Sequence, residues 1–448
     1  MRSARSKSEA VQKPKAVQNN INTTTMKEQY IAHIWKYRLY QYEHLTTVKN
    51  IPLEVIHPGT LNHDSGPDFF NAKIRIGDTL WVGNVEIHQK SSDWEKHGHG
   101  KDDAYENVIL HLVYEYDKNI YRQDQSLIPT LELKNKITKK IEQNFFYLFN
   151  TRSWIPCEKR IGEVDGFMKS SWLDRVLVER LELKSEQILK QLKASNYDWE
   201  EVFYKSVMQS FGLRVNSESF GLLADQLPLS VIGKHRHELF QLESLLFGVA
   251  GFLENAPEDD YQRELKKEFA FLKQKFDLLS MPKNYWKFST MRPSNFPSIR
   301  LAQVAQLFYK ESKLFGAVLN CKNDFEYKEL FDLEVSTYWE THYQFGKERQ
   351  KRQKRFGKNA LQVLLINSVV PFLFIYGKEM GNQQIENRAL TLLEELPVEK
   401  NTIINAWKEL NMPAKSAFQS QALLHLKKHY CDKKKCLDCV LGHQLLKG

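Results

Sequence analysis

Two short stretches carry most of the residues able to do chemistry. One is Asn62-His63-Asp64-Ser65-Gly66-Pro67-Asp68-Phe69, the other Gly83-Asn84-Val85-Glu86-Ile87-His88-Gln89-Lys90. Alternate residues of a strand share a face, so the second stretch projects Glu86, His88 and Lys90 together and sends Val85 and Ile87 the other way. Asp68 stands at the head of the preceding strand, after a Gly-Pro turn. A hairpin between the two strands brings Asp68 near Glu86. Two carboxylates converging at one end of a sheet suit a hard divalent cation, Mg2+ or Mn2+. A basic residue just past the second acid, His88 or Lys90, is placed to orient a water or neutralise developing charge.

Histidine is concentrated in the same region: His57, His63, His88, His97, His99 and His111 are six of the 14 in the chain. His97-x-His99 with His88 and His111 offers ligands for Zn2+ or Mn2+. His97 and His99 sit in a Gly-rich loop with Asp93 and are candidates for acid–base work. His111 interrupts an apolar strand and reads as a core histidine.

Cys431, Cys436 and Cys439 form a C-x4-C-x2-C cluster. Reduced thiols this close bind metal more often than they pair. Cys157, in a Trp-Ile-Pro-Cys stretch, is the expected fourth ligand, with His443 and His429 as alternatives. The spacing fits Zn2+ or a [4Fe-4S] cluster and does not separate them. Cys321 reads as a lone thiol.

The segment 347–358 reads KERQKRQKRFGK. As a helix it would line up Lys351, Lys354, Arg355 and Lys358, extended by Arg349 and Arg352, with Lys347 at its start. Such a stripe suits a nucleic-acid backbone, since acids able to neutralise it are scarce within the run. A second basic stretch, 292–300, holds Arg292 and Arg300, which either grip a phosphate or brace the helices.

The elements that must position these residues fall into two regions. Helical spacing covers 26–45 with Glu43 near its end, and strands are expected at 53–57, 71–76, 79–90, 108–116 and 127–133. From about 165 the pattern is almost wholly helical, with helices expected at 173–192, 199–211, 220–227, 235–253, 298–311, 356–376 and 384–396. The expected fold class is α+β: a basic disordered tail at 1–25 (with Met26 a second possible start), an α/β unit with a small mixed sheet at 26–150, and a large all-α domain at 151–448 carrying the cysteine cluster.

The pattern of helix, three strands, helix and strand, with Pro67-Asp68 before one strand and an acid on the next, resembles the PD-(D/E)XK nuclease-like superfamily. The resemblance implies a restriction-endonuclease-like core, Asp68 and Glu86 on Mg2+ or Mn2+, and Glu43 as a further acid from the preceding helix. His88 stands where that superfamily has lysine, with Lys90 one step along. Some nucleases of that fold carry an iron–sulfur clasp of one distant and three C-terminal cysteines, which is similar to Cys157 with Cys431, Cys436 and Cys439. Nearly all the chain from Met26 also looks like an uncharacterised bacterial family known only as a domain of unknown function. That second resemblance rests on Ser65 to Phe69, Gly83 to His88, Ser92-Asp93-Trp94, His97-Gly98-His99, Val108 to His111, Arg292 to Pro297 and the cysteines.

The chain has 448 residues, 42% hydrophobic and 27% charged, with net charge +9. That excludes wholesale disorder and a disulfide-stapled miniprotein. The apolar run 364–376 is broken by Asn367 and Pro371, so no membrane span is expected, and the expected location is cytoplasmic. Positive charge concentrates at 2–15, 347–358 and 427–435, leaving the rest net acidic. The functional expectation is a metal-dependent nuclease-like protein hydrolysing phosphodiester bonds in DNA or RNA. The alternatives are a non-catalytic nucleic-acid-binding protein on a degenerate nuclease fold, and a hydrolase built on the histidines.

Overall fold

A mixed sheet forms because a hairpin of one strand with alternating burial and one strand buried in its second half meets a mostly apolar strand. In the computed structural model, residues 23–289 and 291–448 are described, with side chains from residue 28 onward. The expected tail at 1–25 lies, up to residue 22, outside the described residues. Helix α1 (Thr23–Lys36) precedes β1 (Leu53–His57), β2 (Thr60–Leu61), β3 (Phe69–Ile76) and β4 (Thr79–Lys90). After α2 (Asp93–Lys96) come β5 (Val108–Glu115), β6 (Thr130–Glu132) and α3 (Lys139–Asn150). The sheet order is β1-β3-β4-β5-β6, with β2 also on β3. β3 runs antiparallel to β4, and β4, β5 and β6 are mutually parallel in turn.

Helix α1 lies against β4 and buries Tyr30, Ile31, Ile34 and Trp35. It is shorter than the periodicity predicts. Arg38 adopts φ 51°, and the Leu39 amide bonds back to the Ile34 carbonyl at 2.9 Å, a left-handed helix stop. Glu43 therefore lies beyond the helix and is exposed.

Two irregularities flank the start of the part of β4 that carries Glu86 and His88. Phe69 pairs Val85 and Ala72 pairs Gly83, so β3 carries one residue more than β4. Asn71 takes the strain at φ 57°. On the other side, Asn84 pairs Val108 but Val85 pairs Leu110. Such bulges re-aim side chains. Gly83 sits between them, where a Cβ would fall 2.5 Å from the Ile109 side chain and 2.7 Å from the Asn107 carbonyl.

The described residues divide into two compact units, one running to residue 164 and taking in 434–448, the other 165–433. The first unit is thus not closed at 150. Helix α3 packs on the helix Val440–Lys447, the Asn144 side chain donates to the Leu446 carbonyl, and Lys434 Nζ donates to the Phe149 carbonyl. The cysteine-bearing end splits accordingly: Cys436 and Cys439 join the sheet unit, and Cys431 ends a π-turn, Leu426–Cys431, in the helical unit.

The helical unit begins with α4 (Gly166–Ala194), its first turn capped by Asp165. Trp339, Trp407, Phe203, Phe211 and Phe247 are fully buried in it. The segment expected at 356–376 is a continuous helix over Lys358–Glu379 with a π-turn at Leu365–Val369. It is long and apolar enough to cross a membrane, and 78% of its most apolar stretch is buried inside the unit. The helix is found as expected, with Asn367 and Pro371 inside it beside the π-turn, and it is the reading of the run as too interrupted for a span that its length and composition correct.

The basic stretch 347–358 is not a helix; only Lys358 begins one. Its partners come from elsewhere in the sequence. Lys351 pairs with Glu340 at 2.9 Å, Arg355 with Glu334 at 2.7 Å and Asp332 at 3.4 Å, and Lys347 Nζ donates to Gln344. Lys354 is buried; its ammonium donates to the Trp339 and His342 carbonyls and lies 4.1 Å from the Tyr343 ring centroid. Arg349, Arg352 and Lys358 are exposed. The stripe of seven cations reduces to three plus the outward ends of paired ones. Arg300 likewise is buried, bonded to Gln303 and Asn295, and braces the helices.

Two outcomes follow from the helical unit. Lys354→Met leaves two buried carbonyls without their donor and should cost about 2 kcal/mol or more, whereas Arg349→Ala and Arg352→Ala should stay within about 0.5 kcal/mol; urea unfolding measures both. Glu243 is fully buried, its Oε2 accepting from Tyr261 at 2.5 Å and Trp339 Nε1 at 3.2 Å. Burial pushes its carboxyl up to about 7, the hydrogen bonds opposing this only in part. A folded-state value above the usual 4.5 means that its stability contribution is full below that pH and is lost as pH rises toward and past 7. Glu243→Gln should therefore gain on the wild type between about pH 5 and pH 8, by at most about 1.4 kcal/mol per pH unit. A pH-independent difference in unfolding free energy would refute this.

Candidate functional site

The strand end that carries Asp68 and the middle of β4 are locked reciprocally. The Asp68 amide donates to Glu86 Oε2 at 3.1 Å, and the Ile87 amide donates to Asp68 Oδ2 at 2.9 Å. Each acid thus caps the other's backbone, and both carboxylates are held at one place. The loop before Asp68 is fixed by Asn62, whose side-chain amide donates to the carbonyls of Asp64, Ser65 and Pro67.

A third carboxylate joins them from α1. Glu28 is half-buried and its Oε1 is buried with no hydrogen-bond partner; its charge acts on Asp68, His97, Asp93 and His99. Glu28 shares a helix face with Ile31 and Trp35, the i, i+3, i+7 spacing that points it at the sheet. The acid expected from the preceding helix was Glu43. The signal that would have found Glu28 is this apolar register, read from the helix start instead of its end.

The histidines form the other half of the site. Glu86, His88 and His111 share a face because Glu86 pairs with His111 across β4 and β5. His88 is buried, with Nδ1 2.8 Å from His111 Nε2 and Nε2 3.1 Å from His97 Nδ1. His99 Nε2 lies 3.3 Å from Glu86 Oε1, close but without hydrogen-bond geometry. The 91–107 crossover delivers His97 and His99. Gly98 turns between them at φ 77°, and Asp102 caps the turn that follows. His99 stacks on Tyr105 with centroids 3.9 Å apart, and Trp94 packs edge-on to His99 and His111. The crossover is anchored by Asp117, which accepts from the hydroxyls of Ser91 and Ser92.

Lys90 does not join this group. It is exposed at the end of β4 and its charge acts on Asp117. Its amide donates to Asp93, whose other oxygen holds Lys96. Four expected site residues (Asp68, Glu86, His88, His99) therefore meet, with His97 at the exposed rim, and His111 and Glu28 added.

Electrostatics in this pocket favour uncharged forms. Burial pushes Asp68 up to about 7 and Glu86 up to about 8, with Glu86 raising Asp68 and Glu28 raising Glu86. Burial and neighbouring imidazoles push His88 down to about 2, and burial pushes His111 down to about 3. Buried polar atoms without partners cluster here: Glu28 Oε1, Trp94 Nε1, His99 Nε2 and His111 Nδ1. The charges of the three acids act on one another, and His88, His97 and His99 are the group of described residues whose ligand atoms lie within 4.8 Å of one another.

The cysteines gather separately in the same unit. Cys157, Cys436 and Cys439 are buried. Burial pushes the Cys436 thiol well up, with further contributions from Cys439 and Cys157. Gly442 permits this packing, since a Cβ there would fall 2.1 Å from the Cys436 carbonyl. His443 is engaged with His33, ring nitrogens 2.9 Å apart.

No curated protein and no solved structure matches the chain. One family model does, over residues 28–402. The match begins at Glu28, takes in every acid and histidine of the site, ends before Cys431, and makes no link to the PD-(D/E)XK superfamily. Covering most of the sequence, it shows that the chain belongs to the family described as "Protein of unknown function (DUF2851)".

Proposed function

We propose that the sheet unit is the centre of a metal-dependent nuclease-like hydrolase that cleaves phosphodiester bonds in DNA or RNA. The observation that carries this reading is the reciprocal bonding of Asp68 and Glu86, which holds two acids together at the end of a hairpin as restriction-endonuclease-like cores do. Glu28 supports it as a third acid from the first helix. Asp68, Glu86 and Glu28 would hold Mg2+ or Mn2+. A divalent ion so bound supplies an activated water and neutralises charge on the phosphate. His88 and His99 lie beside Glu86 Oε1, at 3.8 and 3.3 Å. The Trp94 and Tyr105 rings exclude water from that side. Arg349, Arg352 and Lys358 are exposed cations of the helical unit that a nucleic-acid backbone could meet.

A second reading, a nucleic-acid-binding protein that keeps this geometry without catalysis, is favoured by His88 in place of lysine and by the exposure of Lys90 at the end of β4. Cleavage of labelled DNA and RNA with Mg2+ or Mn2+ separates the two. Asp68→Asn, Glu86→Gln and Glu28→Gln should each lower the rate by about a hundredfold or more, and Glu43→Gln should leave it unchanged. Binding without cleavage in the wild type would leave only the second reading.

We also propose that Cys157, Cys436 and Cys439 hold a soft metal, as zinc or as an iron–sulfur cluster, in a structural role. Cys436→Ser should lower the metal content of anaerobically purified protein and its thermal midpoint together. Unchanged zinc and iron in that variant would overturn the assignment.

A further inference from the structure

The three nearest imidazoles are arranged as ligands in their own right. His88, His97 and His99 each offer a nitrogen within 4.8 Å of the others, and Glu86 Oε1 adds an oxygen on the same side. Ligand atoms at about 2.0–2.1 Å from a tetrahedral ion stand about 3.4 Å from one another. The separations here are 3.1 Å between His88 Nε2 and His97 Nδ1, 3.3 Å between His99 Nε2 and Glu86 Oε1, and 3.8 Å between His88 Nε2 and Glu86 Oε1. These three bracket that value, and the three imidazole ligand atoms all lie within 4.8 Å of one another.

The surroundings fit the same purpose. A ligating imidazole is usually held by a partner on its other nitrogen. His88 has this in His111 Nε2, 2.8 Å from its Nδ1. With the proton between those two atoms, His88 Nε2 presents its lone pair toward His97 and His99. His99 is fixed by stacking on Tyr105, and its Nε2 is buried without a hydrogen-bond partner. Exposed His97 gives an ion a way in.

We propose that His88, His97 and His99, completed by Glu86, bind a divalent transition-metal ion of the zinc, cobalt or manganese kind, beside the position served by Asp68 and Glu28. Imidazole donors select such ions over Mg2+. Glu86, reached from both sides, would be the shared ligand of a paired site. The ion's binding stands on the imidazole geometry alone, and its use in hydrolysis rests on the reading above.

Cobalt(II) is the probe, because imidazole and carboxylate ligation gives visible d–d absorption, while thiolate ligation adds a near-ultraviolet charge-transfer band that reports the cysteines separately. The full chain should bind Co2+ with a visible band that Zn2+ displaces. His97→Ala, chosen because that side chain is exposed and its loss spares the fold, should weaken Co2+ by at least about tenfold. The His97→Ala/His99→Ala pair should abolish the band while circular dichroism stays native, and His111→Phe should weaken binding about tenfold through His88. Equal Co2+ affinity and spectrum in the wild type and His97→Ala overturn the site. A band lost in the variants, with no cleavage of nucleic acid by any form, supports the site and removes the nuclease reading instead.

Discussion

Everything at the site depends on two hydrogen bonds from backbone amides to the carboxylates of Asp68 and Glu86. They replace ladder bonds at the point where β3 begins, so the strand's entry is defined by side chains of the very residues it presents. Burying two mutually repelling acids is costly, and amide donors only partly offset it. The strain has a use if a cation arrives, because the same repulsion then becomes binding energy.

The rest of the sheet unit serves that lock. The bulges on either side of Gly83 and Asn84 set the facing of Glu86. Gly83 permits the approach of β5, which lines up His111 behind His88. The crossover after β4 is short and tied down by Asp117, so His97 and His99 are delivered by a braced turn. Helix α1 closes the arrangement with a single acid among its apolar residues.

Much of this was legible in the sequence. The alternation around Val85-Glu86-Ile87-His88 and the Gly77-Asp78 turn mark β4, and the strand expected at 53–57 and the helix at 199–211 lie where they occur. Asp68, Glu86 and the histidines drew attention by type and spacing alone. What failed failed for physical reasons. The stop of α1 uses Arg38 in a conformation usually taken by glycine, so no glycine marked it and Glu43 displaced Glu28. The run 347–358 looked unneutralised because its acids, Glu340, Glu334 and Asp332, lie outside it. Pairing of that kind is tertiary and leaves no local trace. The helix expected at 356–376 is found over 358–379, and the π-turn within it lets Asn and Pro pass inside one element.

The return of 434–448 to the sheet unit has a bearing on how the molecule comes into being. A ribosome makes the sheet and α1 first, then the whole helical unit, and only then the helix that packs on α3. Contacts of such sequence separation form late and slowly. Until they do, the α3 surface that receives Leu446 and the side chain of Cys157 wait uncovered. The helical unit is thus an insertion in the chain of its host, made before the host's last helix.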